Sequence, residues 1–120
     1  MPNGSANNTM QIYKVFRAGE WAQLQRDSHT AGAPVDVTDG YIHFSTAAQL
    51  RVTLSKHFGR EGDLTLLACD PQALVDDLVW EPSRGGDLFP HLYRDLRMTD
   101  ILWSRDIGLT PQGHDVGEIE

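Results

Sequence analysis

Four side chains in this sequence carry acid, base or nucleophile chemistry in unusual company: His43, Ser45, Glu81 and His91. Two of them lie in one stretch, Asp39-Gly40-Tyr41-Ile42-His43-Phe44-Ser45-Thr46. There His43 alternates with Ile42 and Phe44, so on an extended chain it faces away from both. Glu81 follows Trp80, and His91 stands between Phe89-Pro90 and Leu92-Tyr93. Two imidazoles and a carboxylate, each set among aromatics in separate segments, are the material of a proton-handling site at an apolar cleft. Each also has a structural reading. A His in an apolar run serves as a hydrogen-bonding residue of the core, Ser45 helps to cap a helix, and Glu81 is a solvated strand end.

Other chemistries fit less well. His43, His91 and Glu81, with His57, would offer zinc the nitrogen and oxygen ligands it accepts. No two of them form a close pair such as H-x-x-x-H, so no metal is assigned. A Ser-His-Glu hydrolase lacks its G-x-S-x-G elbow. Gly85-Gly86 is followed by no G-K-S/T and reads as a turn that needs positive φ, not as a phosphate loop.

The elements that must position these groups follow from pattern and punctuation. Gln11–Phe16 reads as a first strand and Ala18–Arg26 as a short helix with Trp21 and Leu24 on its buried face. His29–Thr38, with Gly32, Pro34 and Asp36, reads as a surface loop. Asp39-Gly40 is a turn before a second strand, Tyr41–Phe44. Thr46 and Gln49 form the T-x-x-Q capping box of a helix that runs to about Phe58, with Ala47, Leu50, Leu54 and Phe58 on its core face and Gly59 as its stop. The helix start beside His43 and Ser45 would suit an anionic ligand group. Asp63–Asp70 is a nearly continuous apolar run, suited to a central strand buried on both faces. Asp70-Pro71 opens one helical turn, Leu78–Glu81 is a further strand, and Pro90 keeps Leu88–Tyr93 out of a helix. Met98–Ser104 is the last extended piece. These elements give an α+β domain with two main helices and a mixed or antiparallel sheet.

At 120 residues the chain makes one domain. Residues 1–9 are rich in Asn, Gly and Ser and read as disordered, residues 10–105 as the domain, and residues 106–120, with four acids and no Lys or Arg, as a flexible acidic tail. No apolar run approaches the roughly 20 residues of a membrane span, and the N-terminus carries no apolar signal segment, so a cytoplasmic protein without a membrane partner is expected. The single cysteine, Cys69, lies in the apolar run and reads as a core residue. With a net charge of −7 and scattered Arg, nucleic acid is not an expected partner. A small anionic ligand in one pocket remains compatible.

Ile12-Tyr13-Lys14-Val15, Glu20-Trp21, Asp39-Gly40-Tyr41-Ile42-His43-Phe44-Ser45-Thr46, Asp63-Leu64 with Asp70-Pro71, Trp80-Glu81 and Gly86-Asp87-Leu88-Phe89-Pro90-His91-Leu92-Tyr93 together resemble the DUF952 family. The likeness covers about residues 11–104, and DGYIHFST and FPHLY are its most specific parts. That family looks related in fold to the ADP-ribosyltransferases, including the RNA 2′-phosphotransferases. The resemblance implies a split, bent sheet with a cleft between its halves, where relatives bind NAD or an ADP-ribosylated substrate. It places Lys14 where a first-strand motif often has His or Arg, aligns Tyr41–Ser45 with a second motif, and makes Glu81 an occupant of the catalytic glutamate's place. The expected site therefore has His43, Glu81 and His91 as catalytic residues, with Tyr13, Lys14, Ser45, Thr46, Phe89 and Tyr93 binding a small molecule of the NAD or ADP-ribose type. Enzyme and non-enzymatic binding domain both remain open on this reading.

Overall fold

A computed structural model describes residues 10–119 of the chain. The expected disorder of residues 1–9 lies outside the described residues. A five-stranded antiparallel sheet forms the centre. Its strand β5 (Leu64–Cys69) lies between β1 (Ile12–Arg17) and β9 (Ile101–Thr110), with β4 (Ser45–Thr46) and β10 (Gly113–Asp115) at the two edges. All six residues of β5 are buried, as its nearly continuous apolar run requires of a strand covered on both faces.

Because side chains alternate across a strand, the sheet builds two cores. Ile12, Phe16, Leu67 and Cys69 point to one face, where they meet Leu24 of helix α1 (Ala18–Asp27) and Ile42, Phe44 and Leu92. Tyr13, Val15, Leu64, Leu66 and Ala68 point to the other, where Leu50 and Leu54 of helix α3 (Ala47–His57) cover them. Burial of each such Leu, Ile or Phe contributes roughly 1.5–3 kcal/mol. The capping box of α3 is present as the sequence indicates. The Gln49 amide donates to Thr46 Oγ1 at 3.3 Å, and the Thr46 amide donates to Gln49 Oε1 at 3.0 Å.

A second, three-stranded sheet has the order β3-β7-β6, from β3 (Ile42–His43), β7 (Leu88–Leu92) and β6 (Leu78–Pro82). A two-stranded pair, β2 (His29–Thr30) with β8 (Leu96–Arg97), completes the fold. The expected single strand Tyr41–Phe44 is thus two short strands in two different sheets. Pro90 supplies the reason. The Phe44 amide donates to the Pro90 carbonyl at 3.0 Å. Pro90 has no N–H to return to Phe44, so the β3–β7 ladder cannot continue. The chain leaves β7 at that point and pairs instead with β1, Tyr13 against Ser45 and Ile12 against Thr46. β4 covers only these two residues of β1, and a cleft opens beside Lys14 to Arg17, where the two sheets part.

Two expectations about the chain are corrected. His29–Thr38 is not a plain loop: it holds β2 and the six-residue helix α2 (Pro34–Asp39). Pro34 opens α2 and Gly40, at φ 86°, closes it. Nor is the chain from residue 106 onward a tail among the described residues. β9 continues to Thr110, pairs Ile107 with Leu64, and turns into β10; Ile107 and Val116 are both buried in the α3-side core. The physical reason is that β9, paired beside β5, leaves most of its residues exposed, so Leu109 and its neighbours present little apolar pattern to read. Among the described residues no helix is long and apolar enough to cross a membrane.

Candidate functional site

The cleft between the sheets has a volume of about 520 Å³. β1 contributes Tyr13, Lys14, Val15 and Arg17 to its walls, α2 contributes Pro34, Val35 and Asp39, and α3 contributes Leu50, Thr53 and His57. His43 and Ser45 stand on either side of the sheet crossing and both line it.

Behind Lys14 and His43, which line the cleft, sits a carboxylate from the segment expected to be a loop. Asp36 has no exposed side-chain surface, and four donors reach it. Lys14 Nζ approaches Oδ2 at 2.7 Å, and the Ala33 amide donates to the same oxygen at 2.7 Å. The His43 amide donates to Oδ1 at 3.0 Å, and His43 Nδ1 lies 2.6 Å from it. Two acceptors per oxygen is the usual capacity of a carboxylate, so Asp36 is saturated. Burial pushes its carboxyl up, but the bond from His43 and the charge of Lys14 outweigh that and hold it below the ordinary range. The partner feels the opposite balance: burial lowers the Lys14 ammonium more than Asp36 raises it.

Local sequence explains how Asp36 gets there. It is the third residue of α2, after the Pro34 start, and its Oδ2 bond to the Ala33 amide satisfies an orphan N–H of that helix. Gly32 makes room. Its φ is 104°, and a Cβ there would stand 2.3 Å from Asp36 Oδ2 and 2.6 Å from Asp36 Cβ. A proline start, an acid at the third position and a closing glycine were all present as signals; six residues are too few for helical periodicity to add its own.

Asp36 fixes the ring of His43 through Nδ1, leaving Nε2 toward Asp39 Oδ2 at 3.0 Å. Carboxylates only accept, so the ring needs a proton on each nitrogen to make both bonds. Ser45 Oγ lies 2.8 Å from Thr53 Oγ1 in the same cleft. Tyr13 is buried beneath it, its hydroxyl donating to Gln11 Oε1 at 3.4 Å.

The remaining expected residues form a second group on β6 and β7. His91 pairs directly across from His43, with ring centroids 5.2 Å apart. Its Nδ1 lies 2.6 Å from Glu81 Oε1, which also accepts from the Tyr93 hydroxyl at 2.7 Å. Tyr41 stacks on His91 at 4.2 Å between centroids and leans on His43 and Tyr93. The bond from His91, then that from Tyr93, lowers the Glu81 carboxyl, while the Glu81 carboxylate pushes the Tyr93 phenol up to about 12. The expectation of one cleft holding both groups is corrected here. Glu81, Phe89, His91 and Tyr93 do not line the 520 Å³ cleft, and His91 is buried under Tyr41. Tyr41, stacked on His91, covers that ring, while His43 and Ser45 reach the cleft. Thr46 is occupied as the cap of α3 and does not line the cleft. Sequence reasoning missed Asp36, Asp39 and Tyr41. Among the described residues no group of three or more His, Cys, Asp or Glu is arranged to hold a metal ion.

The chain is similar to protein CC0527 from Caulobacter crescentus. Its crystal structure superposes with a TM-score of 0.83 at 38% identity, covering 87% of this chain and 91% of that one. The solution NMR structure of CC0527 gives a TM-score of 0.78, again at 38% identity, over 88% and 91% of the two chains. None of the curated proteins matches the chain. Residues 15–104 match the family described as a protein of unknown function, DUF952. The chain belongs to the DUF952 family.

Proposed function

We propose that the cleft between the two sheets binds a small nucleotide-type ligand, of the NAD or ADP-ribose class, and that His43 is the group that meets its reacting end. The observation that carries this reading is the fixed imidazole. His43 has 31% of its side chain exposed at the cleft, while the carboxylate that holds its Nδ1 is fully buried. A ring oriented from behind by a saturated acid, with Nε2 turned to the open side, is arranged for proton transfer. Asp39, at 39% exposed, is the group a ligand would displace from Nε2.

The cleft also suits the ligand class. Its volume lies in the range of small-molecule sites, roughly 300–1,000 Å³. Val15, Pro34, Val35, Leu50 and Phe58 offer apolar walls for a base, and Arg17, His43, Ser45 and Thr53 offer polar groups for ribose or phosphate. In a transferase-type reaction His43 would deliver or remove the proton at the bond being exchanged. A second reading has its own support. Lys14 is committed to Asp36 and Arg17 to Glu61, so two of the cleft's cations already have carboxylates. A non-enzymatic binding domain that keeps the pocket and lacks the chemistry fits that neutralisation.

Thermal-shift titration with NAD, ADP-ribose and a 2′-phosphorylated nucleotide tests the proposal. At least one should raise the melting temperature of the wild-type protein, and His43→Ala should abolish the rise. Incubation with the stabilising ligand, followed by product analysis, then separates enzyme from binder. No rise with any of the three, or a rise that survives in His43→Ala, would refute the reading.

A further inference from the structure

The chain has a second cleft of about 480 Å³, on the other side of α3, whose charge is opposite in kind to the molecule's. The protein carries a net charge of −7, yet this cleft is lined by Arg51, Arg60 and His114 and by no acid among the described residues. Leu54, Ser55 and Gln112 contribute to the rest of its wall. Arg51 and Ser55 are four apart on α3 and so share the face turned to the β9–β10 turn.

Among the described residues neither guanidinium has a carboxylate partner, in contrast to Arg17, Arg26 and Arg94, which do. Arg60 reaches only the Thr110 carbonyl, at 3.4 Å. Two acids adjoin lining residues in sequence, Glu61 beside Arg60 and Asp115 beside His114, and neither lines the cleft. The Glu61 carboxylate is held by Arg17 at 2.8 and 2.9 Å, and its backbone carbonyl lies 2.7 Å from His114 Nε2. The opposite wall is fixed by its own turn. The Thr110 hydroxyl donates to the Gly113 carbonyl at 2.8 Å and accepts from the Gln112 amide at 3.2 Å.

We infer that this cleft is a site for a phosphate-type oxyanion, a diphosphate or a phosphorylated small molecule, gripped by Arg51 and Arg60. Guanidinium forks match phosphate oxygens in geometry and charge, and two of them without acids of their own are available to an incoming anion. Ser55 and Gln112 supply neutral donors at the rim. The cleft shares no lining residue with the one that holds His43, so the two sites stand or fall separately.

The experiment is an amide chemical-shift titration of the full chain with inorganic pyrophosphate at low ionic strength, repeated in Arg51→Gln/Arg60→Gln and in His43→Ala. Saturable shifts are expected at residues 51–60 and 110–114. The double variant should bind at least about tenfold more weakly, because each charge-assisted pair it removes is a strong one, with an unchanged melting temperature. His43→Ala should bind as the wild type does. Shifts that do not saturate, that persist in the double variant, or that centre on the His43 cleft would overturn the inference.

Discussion

His43 and His91 face each other across one β-ladder, and each has its Nδ1 2.6 Å from a carboxylate oxygen, yet the two pairs are built in opposite senses. At His43 the acid is buried completely and the ring is 31% exposed. At His91 the ring is 5% exposed and the acid 35% exposed. A buried acid under an open ring presents the ring to a ligand. A buried ring under an open acid presents the acid, and the His serves as its support. Both pairs set an imidazole on a carboxylate at 2.6 Å, Asp36 in one and Glu81 in the other; what differs is which partner meets solvent.

The comparison breaks most severely at Asp36. Asp36→Ala leaves the Lys14 ammonium buried without its counter-charge, and removing one partner of a buried pair costs about 3–5 kcal/mol. Denaturant unfolding at neutral pH should show that loss. Gly32→Ala should act through the same carboxylate, since its Cβ would collide with both Oδ2 and Cβ of Asp36. A cost of about 2–3 kcal/mol is expected, within the range of single substitutions that force strain at a special φ. His91→Ala should cost about 1–3 kcal/mol by emptying the buried space under Tyr41, and should leave ligand affinity at the His43 cleft close to normal. His43→Ala should do the reverse, with the smaller stability loss and the larger binding loss.

A pH series sharpens the difference further. The folded-state carboxyl of Asp36 is depressed, so its contribution is complete above the unfolded value of about 3.9 and is lost as pH falls through the folded value. Stability of the wild-type protein should therefore fall below about pH 4. Asp36→Asn should be less stable at neutral pH and flatter on the acid side. Glu81→Gln should keep most of the wild-type slope, because the Glu81 carboxylate is far more open to solvent. The smallest effect belongs to Tyr93→Phe, which removes one exposed bond to Glu81 and should leave the denaturation midpoint nearly unchanged.

Much of the scaffold was legible in the sequence, and the reasons are local. The T-x-x-Q box marked the start of α3, the nearly continuous apolar run at Leu64–Cys69 marked the central strand, and Pro90 excluded a helix at Leu88–Leu92. Lys14, His43 and Ser45 do share a cleft. What escaped depends on contacts between distant segments. α2 is too short to show a period, so Asp36 looked like a loop acid. β9 exposes most of its residues, so its course beside β5 past Ser104 and its turn into β10 left almost no apolar signature beyond Ile107 and Val116. The parting of His43 from Ser45 into different sheets turns on a single missing N–H, that of Pro90, and no pattern within residues 41–46 encodes it.

If His43 meets the ligand as proposed, the ring set by Asp36, and not the ring set by Glu81, faces it. Amide chemical-shift mapping with ADP-ribose, the smallest member of the proposed class, tests this most directly. Saturable changes clustered at residues 13–17, 33–39, 43–45 and 53–58, and absent in His43→Ala, are the predicted result. Changes centred instead on residues 79–82 and 89–93, or a saturable response that His43→Ala leaves intact, would contradict the account.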